Sequence, residues 1–526
     1  MLSFGITELT PLILAFLFAI LSCFLFAKNK RGTTIALFLT GAATAFFMAN
    51  LDPFLALWDE QYHALVAKNM TDSPLHPKLY REAFLSHEYL NWTNCTTWLH
   101  KPPIFLWQIS ASIKVFGPTA FAVRFPDILM HGLLSVLIYR IGTNLSVARI
   151  GLIAAIIFAF AFYPLELITG RFPTDHNDVA FLFYVTASFW AWTEFQKRAN
   201  YKWLIAIGIF VAAAVLTKWM VGFILFPVWT LSLMLNEPKQ IFKLKRYLPI
   251  LLSFGIALIL VLPWYLYIHL TFPNEAALES VRSAEHFTNV IEDHGGGWYF
   301  HFREGIDIMY GKGDLIPFLI LGGIVAFIFQ LKTRLCRLVV GISVVSVYLF
   351  FTIAATKMIG FTLIVAPFVY LGYASIIHLL ISFFEQRSWS KVCLLSLYVL
   401  PFLISVVALN FGEIRKYHTL EQPRFNANRG NKLAEMKMIG HLKVHLKEGS
   451  VIFNARQTMH GQIPIMFFTD FIAYERIPSE IQLKKLKEDN RPLVFINQGN
   501  LPRYIVDDEE LQLISIDSFG FKPEVD

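Results

Sequence analysis

About twelve stretches of this chain are apolar enough to read as membrane-spanning helices, each of which needs roughly 20 mostly apolar residues. They run over residues 10–27, 33–50, 119–140, 149–168, 179–196, 202–217, 220–236, 248–269, 314–331, 337–355, 360–383 and 391–411. No water-soluble core holds so much apolar side chain. Of the 526 residues 56% are hydrophobic, 50 are Phe and 16% are charged, and the mean hydropathy is +0.53. The expected fold class is a polytopic α-helical membrane protein. The first run, Pro11 to Ala27, has no basic stretch before it and no small-residue cleavage site after it, so it reads as a retained span.

Lys and Arg set the orientation. The loops KNKR, Arg140 to Arg149, QKRANYK, KQIFKLKR, KTRLCR and EQRSWSK alternate regularly along the chain and are basic, which assigns them to the cytoplasm. The net charge of +7 is thereby a topological signal, and nucleic acid is not an expected partner. The external segments are then 51–118, the turn TGRFPTDHND, the corner LTKWM, the loop 270–313, the corner ATKM and everything after about residue 412. Of the four cysteines, Cys23, Cys336 and Cys393 lie in or beside apolar runs, so no disulfide framework is expected.

The tail changes character. Short apolar runs of β type (VIFNA, IPIMFF, PLVFINQG, LQLISI) alternate with amphipathic helical patterns (NKLAEMKMIGHLKVHLK, PSEIQLKKLKEDN). This predicts a transmembrane unit over 1–411 and a small external α/β domain over 412–526.

Most of the unusual polar residues fall on the external side. In LWDEQYHALVAKNM, Asp59 and Glu60 open a modestly amphipathic helix expected to lie along the membrane surface. Acids there serve either as helix caps or as a general base beside a lipid-borne head group. In TDHNDVAFLFY, Asp175 and Asp178 offer the same two readings. Lys101, Lys218 and Lys357 stand at external boundaries, against the usual cytoplasmic bias. Snorkelling accounts for any one of them; together they could hold a phosphate or diphosphate and stabilise it as a leaving group. His63, His87, His100, His286, His294 and His301 are also external, but no H-x-E-x-x-H or C-x-x-C spacing marks a metal site. HGGGW at 294–298 neither follows a strand nor opens a clear helix and is a weak phosphate cradle.

In order, WDEQYHALVAKNM, HKPPIFLWQISASIKVFG with AVRFPDIL, DHNDVAFLFY, LTKWMVGF, LPWY and TKMIGFTLIVAPFVYL resemble the GT-C glycosyltransferases that use polyprenyl-phosphate sugars. That group includes bacterial aminoarabinose transferases of lipid A and relatives of protein O-mannosyltransferases. The resemblance implies an inverting transfer of a sugar from a polyprenyl-phosphate donor to a hydroxyl of a lipid, glycan or protein, in a bacterial inner membrane with the active site facing the periplasm. It implies Asp59 as catalytic base and Asp178 as the second acidic residue, with Asp175 the competing alignment, and Glu60 is counted with them as a catalytic candidate although a neighbour or cap role also fits it. Lys101, Lys218, Lys357 and Arg282 would bind the donor phosphate. A divalent metal, Zn or Mg, would be held through His100 and His286. The competing class is a transporter or flippase of lipid-linked sugars, which should show midplane ionisable residues and paired halves with interrupted helices.

Overall fold

The computed structural model describes residues 4–85, 91–172, 176–387, 391–418 and 429–521. Helices coincide with all of the apolar runs. Among the described residues six are long and apolar enough to cross a membrane: Ile6–Leu25, Lys30–Ala49, Ala120–Leu145, Leu244–Thr271, Arg334–Ile353 and Ile359–Gln386. The pair Ala148–Ala159 and Phe162–Ile168 makes one further span if taken together, bent by 49°. Shorter apolar helices include Tyr201–Val215, Met220–Asn236 and Ile316–Phe329.

Local chemistry sets several of the helix starts. The side chains of Asn29, Thr119 and Thr333 each accept a backbone N–H from the first turn that follows. In the Pro102–Pro103 pair the second proline occupies the first helical position, where a missing N–H costs nothing. Small residues let spans approach closely: a Cβ on Gly323 would lie 2.8 Å from the Gly372 carbonyl carbon, so the helices there touch backbone to backbone.

The segment expected to be an external loop, 51–118, holds two helices. Asp59–Asn69 is followed by Pro103–Phe116. Every residue of Asp59–Asn69 is buried, so it does not lie along a membrane surface with one face wet. Its outer side is covered by the tail. The Lys68 ammonium donates to the carbonyls of Met466 (2.9 Å) and Thr469, and lies 3.3 Å from Asp470 Oδ1. Residues 270–313 likewise contain helices Pro273–Thr288 and Glu304–Tyr310.

The tail contains a four-stranded, wholly parallel sheet built from β1 (Val451–Phe453), β2 (Ile472–Ala473), β3 (Leu493–Asn497) and β4 (Gln512–Ser515), in the order β2-β1-β3-β4. Val451 pairs with both Ile472 and Leu493. Helices Arg429–His445, Gln462–Phe468 and Glu480–Glu488 accompany it. IPIMFF is helical rather than a strand, because a short run buried all round has no alternation to separate the two states. The apolar core of this unit is continuous with Tyr62, Leu65, Val66, Trp98 and Leu106 of the 51–118 segment. A buried ionic knot adds to the joint: Asp52 accepts from Arg171 (3.1 Å) and from Arg429 (2.7 Å), and the Arg171 guanidinium lies over the Tyr417 ring.

Candidate active site

Asp59 and Glu60 stand side by side in sequence and point to different partners. The helix starts at Asp59, yet no side chain caps it. The Asp59 carboxylate instead faces Lys101, with Nζ 3.5 Å from Oδ2. Burial by itself would raise the pKa of Asp59; the charge of Lys101, with smaller contributions from His63, His100 and Lys218, overcomes this and holds it well below the ordinary carboxylate range. Glu60 is turned inward. It pairs with Arg124 at 2.6 Å, accepts the Ala56 N–H at 2.5 Å, and neither it nor Arg124 has any exposed side-chain surface. Arg124 also donates to the carbonyls of Ala49, Asp52 and Phe54, so this pair fastens the loop that leads into the helix.

A second acid and base meet on the next elements. Asp178 opens the Asp178–Arg198 helix and forms an ion pair with Lys218, which follows the Tyr201–Val215 helix. Asn177 ties the same corner by donating to the Thr217 carbonyl at 2.9 Å. Asp175, the competing position, lies outside the described residues. The third group was only partly visible in the sequence. His100 Nδ1 lies 3.3 Å from Glu279 Oε2, and Arg282 lies 3.4 Å from the other oxygen of Glu279. Burial pushes the Glu279 pKa up, and the His100 hydrogen bond and nearby cations outweigh it, so the group is held ionised. Glu279 was missed; the signal available was its i,i+3 spacing to Arg282 on one helix face.

Behind Asp59, His63 and His176 meet Nδ1 to Nδ1 at 3.1 Å, both fully buried. One must donate and the other accept. Burial holds His63 well below its usual pKa and His176 at about 3, so the pair is neutral at physiological pH. Nothing in the spacing of residues 63 and 176 announces it.

His286 and Lys357 were expected at a metal and at the donor phosphate. His286 lies close enough to Lys101, His100 and Lys218 for their charges to act on it, although burial is the main reason its pKa falls. Yet no group of three His, Cys, Asp or Glu side chains suited to a metal occurs among the described residues, and a stable divalent site draws on three or more protein ligands. His100 with Glu279 supplies two. Among the described residues the set of ligands is therefore incomplete for a tightly held metal. Lys357 has spent its donors elsewhere: its ammonium bonds the carbonyls of Phe351 (2.9 Å), Thr352 (2.7 Å) and Ala354, closing the C-terminal end of Arg334–Ile353.

One wall of the site therefore gathers Asp59 with Lys101, Asp178 with Lys218, and Glu279 with His100 and Arg282. Three cations set beside three acids suit an anionic ligand transferred next to a proton acceptor.

Comparison with known proteins bears on the fold and on part of the chain. Residues 100–267 match the dolichyl-phosphate-mannose-protein mannosyltransferase family. An uncharacterized protein of Aquifex aeolicus is 30% identical over 226 residues, which is 42% of this chain and 41% of that relative's length. The fold is similar to ArnT from Cupriavidus metallidurans bound to undecaprenyl phosphate, with TM-score 0.61 and 14% identity over 93% of this chain and 91% of that one. It is also similar to the Archaeoglobus fulgidus oligosaccharyltransferase in its apo form, with TM-score 0.52 and 11% identity over 86% of this chain and 66% of that one. In fold, then, the chain is similar to ArnT, and over residues 100–267 it is similar to the dolichyl-phosphate-mannose-protein mannosyltransferase family.

Proposed function

We propose that the protein transfers a sugar from a polyprenyl-phosphate carrier to an acceptor hydroxyl, with inversion, on the periplasmic side of a bacterial inner membrane. The observation that carries this reading is the contact between Asp59 and Lys101, with Lys218 and Arg282 on neighbouring elements. ArnT binding undecaprenyl phosphate, and the archaeal AglB with a dolichol phosphate and an inhibitory peptide, support a lipid-phosphate donor here.

The balance of the step is simple. The acceptor oxygen bonds to the anomeric carbon as the bond from that carbon to the phosphate oxygen breaks. Asp59 takes the hydroxyl proton, and the carrier leaves as a phosphate whose charge Lys101, Lys218 and Arg282 offset. A carboxylate held so acidic by Lys101 is a poor base in the free protein. Once the donor phosphate shares the Lys101 charge, the Asp59 pKa rises, so donor binding would itself switch the base on. The acceptor is a lipid, a glycan or a protein, and membrane lipids surround the site. Two ligand-type side chains at His100 and Glu279 do not call for a metal in this scheme.

Asp59→Asn tests it. Transfer should fall by roughly 10²–10⁴-fold, the usual worth of a general base, while undecaprenyl phosphate still binds. Comparing glycolipid and glycan profiles of a deletion strain complemented with wild type or Asp59→Asn also reveals the acceptor. Full transfer by the variant would sink the assignment.

A further inference from the structure

Trp58, immediately before Asp59, has φ 62° and ψ −119°. A bulky residue at positive φ is strained and persists only where its surroundings hold it. Here the holding group comes from the tail. The His460 ring meets the Trp58 ring edge-on at 4.7 Å between centroids and the Tyr62 ring at 5.5 Å. His460 is itself at φ 57° and lies 3.5 Å from Glu475. On its other side Trp58 faces Trp92 at 6.1 Å; Trp92 lies flat on His100, 4.6 Å away with the planes 6° apart, and donates its indole N–H to Glu292 at 3.0 Å. Both tryptophans are half-buried, Trp58 next to Asp59 in the chain and Trp92 stacked on His100.

Two partly exposed indoles next to a base and a phosphate-binding lysine make sense if something amphipathic lies on them. A pyranose ring has polar hydroxyls on its rim and a face of C–H bonds, whose partial positive charge suits the negative face of an indole. We propose that Trp58 and Trp92 form the wall on which the donor's sugar ring lies, and that His460 of the tail is a positioning residue that braces Trp58. The tail unit is then a working part of the transferase site. This rests on the donor reading above and deepens it.

The test uses the full chain in lipid nanodiscs. Binding of undecaprenyl phosphate is compared with binding of its mannosyl, glucosyl, galactosyl and arabinosyl derivatives. At least one sugar-bearing lipid should bind wild type more tightly than the bare carrier. Trp92→Ala and His460→Ala should weaken that lipid by roughly three- to tenfold, as loss of an aromatic contact does, leaving the bare carrier unchanged. His460→Phe, which keeps a planar ring against Trp58, should restore it. Unchanged carrier binding also shows that the variants fold. The inference is overturned if no sugar adds affinity, if the variants keep the full sugar gain, or if they weaken both lipids equally. Failure of the bare carrier to bind wild type would instead overturn the donor reading.

Discussion

Lys101 Nζ lies 3.5 Å from Asp59 Oδ2, and the two residues come from opposite ends of the 51–118 segment. Removing that cation should raise the Asp59 pKa, because burial, which already opposes ionisation, then acts against weaker compensation. In Lys101→Met, measured at saturating donor, the acidic limb of the pH–rate profile should move to higher pH. A limb that stays in place would mean that Asp59 does not set it.

Glu60 and Arg124 form a pair with no exposed side-chain surface. Truncating one partner strands the other as a buried charge, which typically costs about 3–5 kcal/mol. Glu60→Ala should therefore lower the unfolding temperature and membrane yield sharply. Glu60→Gln with Arg124→Met should recover much of the loss. A Glu60→Ala protein that keeps wild-type stability but loses transfer would return Glu60 to a catalytic role.

Lys357 closes a helix end with three carbonyl contacts. Lys357→Met should cost about 1–2 kcal/mol of stability, in line with charged hydrogen bonds of this kind. Its affinity for undecaprenyl phosphate should stay at the wild-type value. A loss of affinity comparable to that of Lys218→Met would place Lys357 at the donor phosphate after all.

Lys68 seats the Asp59–Asn69 helix on the tail, and burial lowers its pKa to about 8 despite the opposing pull of Asp470. Between about pH 8 and the unfolded value near 10.4 the unfolded chain binds more protons, so stability contributed at this site rises with pH across that window. Below pH 8 the full cost of charging remains. The difference in unfolding temperature between wild type and Lys68→Met should therefore change in favour of wild type from pH 8 to pH 10. A difference that does not vary with pH would show that Lys68 is not titrating there.

Much of the fold was legible because the bilayer imposes a length and a composition that the chain cannot disguise. The helices lie where the apolar runs were counted, and β1, β3 and β4 fell inside runs with strand chemistry. IPIMFF was misread because a fully buried helix and a fully buried strand look alike over six residues. The burial of Asp59–Asn69 was equally invisible, since the surface covering it comes from residues some four hundred positions later.

The site divides in the same way. Residue type and sidedness marked Asp59, Asp178, Lys101 and Lys218 as candidates, while Arg282 entered only through the resemblance. Pairing was not legible, because an ion pair depends on where distant backbones arrive. Only the tertiary structure separated Asp59 from Glu60, sent Lys357 to a helix end, brought Glu279 to His100, joined His63 to His176, and carried His460 to Trp58. The sequence by itself determined that this chain is built largely of apolar helices of membrane-spanning composition, because the bilayer fixes their length and hydropathy. The packing of the helices and the tail decided which acid meets which base, because an ion pair forms only where distant parts of the backbone arrive together.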